Sequence, residues 1–247
     1  AEFEKEMEKQ RNRSRSSRAD VSSMRVQGGV LEGLTINSQF VGYDQFEVNS
    51  NIEELIQNEQ CVDRLNEGEK GLLLLDNTPF YAESGGQVAD QGWMITPDSK
   101  IKVNNVWKGP KGDHVHEVVV EKGDIRKGDK VLAVTDRRLR LNTMKNHTAT
   151  HLLQKALKEV LGEHVNQAGS LVTPEYLRFD FSHVGAMTPE EINEVEKRVN
   201  EQIWNNSMVE TLETSLSEAK KLGAMALFGE KYGNHVRVVK VGDYSLE

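Results

Sequence analysis

Two histidines, His147 and His151, stand four residues apart in the run Asn146-His147-Thr148-Ala149-Thr150-His151. On a helix that spacing sets both imidazoles on one face, one turn apart, where they can converge on a single cation. Zinc is the natural cation for an imidazole pair. The bland alternative is a packed or solvated histidine on an ordinary amphipathic helix, and the pair alone does not decide between the two. A metalloprotease would carry a glutamate directly after the first histidine as general base. Thr148 stands there, so proteolysis fails on the residue that would do the chemistry.

Two further segments combine glycine with polar tips. Residues 77–87 (NTPFYAESGGQ) follow an apolar run at 72–75, and Gly85-Gly86 permits positive φ or close backbone approach beside Glu83, Ser84 and Gln87. An ordinary barrel turn would need no more than this. Residues 167–171 (QAGSL) repeat the combination at the start of a β-like run. In 178–183 the alternation puts Phe179 and Phe181 on one face and Arg178, Asp180 and Ser182 on the other, as in a half-buried strand.

These segments need elements to hold them. After Arg137 the residues Leu141, Met144, Thr148, His151, Leu152, Ala156, Leu157 and Val160 recur at three- and four-residue steps, which predicts an amphipathic helix ending near Gly162. Strands are expected over 169–172 and 177–181. Thr188-Pro189-Glu190-Glu191 predicts a capped helix start, with Ile192, Val195, Val199 and Ile203 on one face down to about residue 205. A strand near 209–212, a short helix over 217–222 and a strand near 236–241 follow. Upstream, β-like runs at 40–43, 72–75, 101–107, 115–120 and 131–134 are separated by glycine and asparagine turns, the pattern of a small antiparallel β-barrel. One helical stretch is expected at 52–55. Residues 1–25, with Phe3 and Met7 the only large apolar side chains of the first twenty, read as a helical connector and linker. The expected fold is α+β in three parts: a connector over 1–25, a barrel domain over 26–136 and an α+β domain over 137–247.

The chain has 31 Lys and Arg against 39 Asp and Glu, a net charge of −8, which argues against a uniformly basic nucleic-acid binder but leaves room for one basic face. Two tracts carry no acid: Lys9, Arg11, Arg13, Arg15 and Arg18, and then Arg137, Arg138, Arg140 and Lys145. Each taken alone is explained by a solvated face. No apolar run approaches the roughly 20 residues of a membrane span, and no charged-then-apolar leader opens the sequence. A single cysteine, Cys61, excludes an internal disulfide and fits a reducing compartment. A cytoplasmic protein without a membrane partner is expected.

In this order, the runs TPFYAESGGQ (78–87), NHTATHLL (146–153), QAGSLV (167–172), LRFDFSH (177–183) and AMALFGEKYG (224–233) resemble the middle of bacterial alanyl-tRNA synthetases, over essentially all 247 residues. The resemblance implies that 1–18 are the helical tail of a tRNA-recognition region and 26–134 a β-barrel domain. The remainder would be an editing domain similar to those of threonyl-tRNA synthetases and of free-standing alanyl-tRNA editing proteins. The implied activity is hydrolysis of the ester joining serine or glycine to the 3′-terminal ribose of alanine tRNA. A pocket built for alanine cannot strongly reject one missing methyl or one added hydroxyl, so a second site has to discriminate. The family's zinc is held by a His-x-x-x-His pair and a later Cys-x-x-x-His pair, and the first falls on His147 and His151. Gln167 falls on a polar residue of the editing pocket, with Gly169 and Ser170 beside it as the implied catalytic group. The implied partners are the 3′ acceptor end of alanine tRNA and the other domains of a parent synthetase. The resemblance covers no ATP-binding domain, so aminoacylation by this chain is not expected.

The pattern is departed from at one point. The cysteine–histidine pair should follow Gly242-Asp243-Tyr244-Ser245, yet the sequence reads only to Glu247. Cys61, His164, His183 and His235 lack the expected spacing. The resemblance therefore implies an editing domain truncated at its C-terminus, a Zn2+ site short of half its ligands, weak metal binding and poor deacylation. Arg137, Arg138, Arg140 and Lys145 lead into the histidine helix, where an acceptor-stem backbone would have to pass. The competing readings are a non-catalytic module that docks the acceptor stem, and a free-standing trans-editing protein; the severed-looking helix at 1–20 speaks against the second.

Overall fold

The computed structural model describes residues 28–34, 36, 38–223 and 235–247. The expected connector at 1–25, the first basic tract and the run at 224–233 lie outside the described residues. The chain divides into two compact units, Ala1–Ala82 with Ala89–Asp136, and Glu83–Val88 with Arg137–Glu247. The short segment Glu83–Val88, read from the sequence as a turn of the first domain, therefore counts with the second.

In the first unit a short helix α1 (Gly28–Gly33) precedes eleven strands. They are β1 (Gln39–Phe40), β2 (Glu47–Gln57), β3 (Gln60–Cys61), β4 (Arg64–Asn66), β5 (Lys70–Leu75), β6 (Asn77–Thr78), β7 (Gly92–Ile95), β8 (Lys100–Lys108), β9 (His114–Lys122), β10 (Asp124–Arg126) and β11 (Lys130–Thr135). The order β11-β7-β8-β9-β5-β2 closes on itself through β2–β11 pairing, giving a six-stranded antiparallel barrel, with β3 appended to β2 as a hairpin. Closure removes the free edges that an open sheet would expose. Inward-facing Leu55, Leu73, Leu75, Phe80, Met94, Ile101, Val106 and Val118 are fully buried, each contributing about 1.5–3 kcal/mol relative to exposure. A second apolar cluster joins Leu31 of α1 to Ile56, Leu72, Leu74 and Val115.

The helix expected at 52–55 is instead the middle of β2. A register shift between Ile52 and Glu54 places an extra residue there, so Ile52 and Leu55 both enter the barrel core while Ile56 joins the outer cluster. A bulge converts the two-residue period of a strand into a three-residue step, which in sequence is indistinguishable from a helical one.

Two histidines are locked inside this unit. His116 donates from Nδ1 to the Leu73 carbonyl at 2.9 Å, and its Nε2 accepts from the Thr78 hydroxyl at 2.8 Å. Burial pushes its pKa down to about 3. His114, stacked on Phe40 with ring centroids 5.2 Å apart, is lowered by burial and by Lys108 to about 4.

The second unit opens on the long helix α2 (Arg137–Leu161), followed by the hairpin β12 (Asn166–Val172) and β13 (Leu177–Ser182), helix α3 (Pro189–Asn205), β14 (Val209–Ser215), helix α4 (Leu216–Lys221), β15 (His235–Val241) and β16 (Ser245–Leu246). The last three strands form an antiparallel sheet in the order β14-β15-β16. Gly162 ends α2 at φ 113°, where a side chain would be strained. At Thr188 the capping box is complete: its side chain accepts from the Glu191 amide, and the Glu191 carboxylate accepts from the Thr188 amide. The core gathers Ala156, Leu157, Val165 and Val195 against Leu153, Val160, Phe179, Phe181 and Val199.

Only the C-terminal half of α2 reaches that core. Leu141 and Met144, expected on the apolar face, are 37% and 45% exposed, while Arg140, Thr143, Thr150 and Gln154 are buried. From Arg140 to Gln154 the helix thus buries a polar stripe, a choice that apolar periodicity does not reveal. Among the described residues no helix is long and apolar enough to cross a membrane.

Candidate functional site

His147 and His151 lie on one face of α2 with their rings stacked, 9° from parallel and 5.5 Å between centroids. Each Nδ1 meets an acceptor brought from elsewhere in the same unit. For His147 it is the Gln87 side-chain oxygen, at 2.6 Å. For His151 it is the Glu247 carboxylate, through a short hydrogen bond. The helix is pinned at this level by the Asn146 side-chain amide, which donates to the Thr173 carbonyl at 2.8 Å. Burial, followed by the charges of His151 and Arg237, lowers the pKa of His147 to about 4, so its imidazole is neutral at pH 7.

Gln87 is held in place by a tight turn. The Ser84 and Gln87 backbones exchange two hydrogen bonds, at 3.2 and 3.0 Å. Gly85 and Gly86 adopt φ of 57° and 79°, which only glycine takes without strain. The turn then docks on β12: the Val172 amide donates to the Gly86 carbonyl at 2.8 Å, and the Val88 amide donates to the Val172 carbonyl at 3.0 Å. A Cβ on Gly86 would lie 2.7 Å from the Ser170 carbonyl oxygen, so the approach requires glycine. Gln87 itself is 5% exposed. Glu247 is anchored by reciprocal backbone hydrogen bonds with Val239, and its second carboxylate oxygen, Oε1, is buried without a hydrogen-bond partner among the described residues.

Ser170 sits directly beneath Gly86, one residue from the amide that holds His147. Gly169 faces Asp180, whose carboxylate oxygen would be 2.8 Å from any Cβ added there. Gln167 lies opposite Phe181 at a β-bulge. The hydrogen bonds that reach the two histidine rings come from Gln87 and Glu247 and not from the 167–170 strand. Arg137, Arg138 and Lys145 are exposed. Arg140, by contrast, is a buried residue of α2 at 5% exposure.

Sequence reasoning gave Gln87 only as a polar tip beside Gly85-Gly86 and did not single out Glu247. The adjoining Gly85-Gly86 pair was the available signal for the first. Nothing in local sequence marks the second, because its partner is 96 positions away.

As donors for zinc the histidines are suitable. An imidazole whose Nδ1 is engaged by an oxygen acceptor offers Nε2 as the ligand atom, the usual arrangement behind a zinc-bound histidine. Among the described residues, however, no group of three or more His, Cys, Asp or Glu is placed to hold a metal ion. The pair would supply two ligands.

The model of the family described as tRNA synthetases class II (A) matches residues 1–139, more than half of the chain. The chain belongs to that family. The chain is 56% identical over all 247 residues to the alanine–tRNA ligase of Bacillus cytotoxicus, covering 28% of that protein. It is 56% identical over 245 residues to the Bacillus cereus protein of the same name, and 55% identical over 247 residues to that of Geobacillus thermodenitrificans, again covering 28% of it. It thus spans little more than a quarter of the curated relatives it matches. The family match takes in the barrel, Gln87 and the first residues of α2, whereas the histidine pair and Glu247 lie beyond Leu139.

Proposed function

We propose that the unit formed by Glu83–Val88 and Arg137–Glu247 is an editing site that hydrolyses the ester of serine or glycine mistakenly joined to alanine tRNA, with zinc bound by His147 and His151. The observation that carries the reading is the stacked imidazole pair, each ring braced at Nδ1 from outside the helix. The name of the relatives supports the tRNA, and the weak discrimination of any alanine pocket against serine and glycine supplies the need. Zinc, when bound, supplies Lewis-acid polarisation of a carbonyl or a water. Of the chain's own residues, His147 and His151 hold the metal, Gln167, Gly169 and Ser170 line the pocket for the aminoacyl end, and exposed Arg137, Arg138 and Lys145 meet acceptor-stem phosphates. The other domains of a parent synthetase would be its partners, and the cytoplasm its setting.

The test is release of serine from mischarged alanine tRNA at fixed tRNA occupancy. Slow release above the rate of tRNA alone, lost in His147→Ala and in His151→Ala, is the expected result. Binding without release would leave the acceptor-stem module as the correct reading.

The phosphate contacts are tested separately. Arg137→Glu with Arg138→Glu should weaken tRNA binding about 10-fold or more at moderate salt and reduce the slope of log affinity against log salt by about 2. An unchanged slope would return both arginines to ordinary solvated surface.

A further inference from the structure

We propose that Gln87 and Glu247 are positioning residues that hold the proton of both imidazoles on Nδ1, so that Nε2 is the ring nitrogen left to face a cation. The inference rests on the editing reading for its use, but its content is the state of two rings in the metal-free protein. An ionised carboxylate only accepts hydrogen bonds, so the His151 nitrogen facing Glu247 has to carry the proton. The Gln87 side-chain oxygen at 2.6 Å makes the same demand of His147. Both supports are buried: Gln87 is 5% exposed, and the Glu247 side chain is 8% exposed with its other oxygen unpartnered among the described residues. A carboxylate so placed, with one oxygen on a histidine and the other on none of the described groups, is poorly explained as a device for stability alone, since an unsatisfied buried oxygen costs free energy. Neither support comes from α2. One arrives from a turn 60 positions upstream and the other from the edge of a sheet 96 positions downstream. Ring orientation is thereby set by two independent parts of the fold, which a helix alone could not do.

The two supports differ in charge. A neutral amide backs His147, and a carboxylate backs His151. The second makes its ring the more electron-rich donor.

The test is nitrogen NMR of the metal-free 247-residue chain with labelled histidine at pH 7, then during zinc addition. His147 and His151 should both show protonated Nδ1 and unprotonated Nε2. Gln87→Met, which keeps the shape but removes the acceptor, should shift His147 toward a mixture of tautomers and leave His151 unchanged. Glu247→Ala should do the reverse. Gln87→Glu, which restores an acceptor, should return His147 to the Nδ1-protonated form. Zinc affinity should fall about 10- to 100-fold in Gln87→Met. A wild-type His147 protonated at Nε2, or variants that leave both rings unchanged, would overturn the proposal. Tautomers as expected in a protein that takes up no zinc would support the positioning role while sinking the metal reading.

Discussion

Between pH 7 and pH 4.5 the barrel unit should lose about 5 kcal/mol of stability. The cause is the pair His114 and His116, held neutral in the fold with pKa values of about 4 and about 3, against about 6.5 in the unfolded chain. Above the unfolded value neither state binds the extra proton, and stability is complete. As pH falls from about 6.5 toward 4, the unfolded state takes up two protons that the folded state refuses, so each histidine costs about 1.4 kcal/mol per pH unit. Below the folded values the loss levels off. Denaturant titrations across this range, followed through Trp93 and Trp107 on the barrel strands, measure the slope. His116→Gln removes one titrating ring while keeping polar contacts available, and should halve it. A slope unchanged by that substitution would mean that His116 is protonated in the fold, against its two hydrogen bonds to the Leu73 carbonyl and the Thr78 hydroxyl.

Gly86→Val should destabilise the second unit by about 3 kcal/mol and detach Gln87 from His147. Gly86 holds φ 79°, and its missing Cβ would stand 2.7 Å from the Ser170 carbonyl and 2.9 Å from the Ser170 Cβ. A β-branched residue meets both obstacles, a forbidden backbone region and a backbone atom that cannot move without tearing the Val172 hydrogen bonds. Gly85→Ala is the control. At φ 57° it also demands a left-handed residue, yet nothing lies within 4 Å of its Cβ, so its cost should stay near 1 kcal/mol. Thermal unfolding separates the two, and the His147 nitrogen resonances show whether the turn has left its seat. Equal effects from both substitutions would mean that the contact with Ser170 carries no weight.

Legibility in the sequence followed the range of the interactions involved. The α3 start was readable because a capping box is written in four consecutive residues, and Thr188 and Glu191 fulfil it. Of the barrel strands β5, β8, β9 and β11 were readable because turns and alternation are local, whereas the four-residue β7 (Gly92–Ile95) was not expected. The bulge in β2 was not, since a one-residue insertion shifts Leu55 into a spacing that belongs to helices. On α2 the periodicity located the helix and put both histidines on one face, but it turned Leu141 and Met144 inward when Arg140 and Thr143 occupy that side. The hydroxyls of that stripe are satisfied within the helix itself, Thr143 by the Leu139 carbonyl and Thr150 by the His147 carbonyl, so they can be buried without an apolar side chain. Gln87 and Glu247 were hidden for a different reason, their distance in sequence from the rings they meet. Their types were visible, while their adjacency to the histidines is a product of the folded sheet and turn.

The passage of Glu83–Val88 into the second unit limits how this polypeptide can be dissected. Asp136 and Arg137 offer an inviting place to cut, yet a piece beginning at Arg137 would keep both imidazoles and forfeit the amide that steers the first of them. Residues 137–247 are for this reason not a portable module: transplanting them to another carrier would require a surrogate for Gly85-Gly86-Gln87. During synthesis the order is reversed, because the steering amide leaves the ribosome 60 positions ahead of the ring it serves. Glu247, 96 positions beyond His151, joins the site later still.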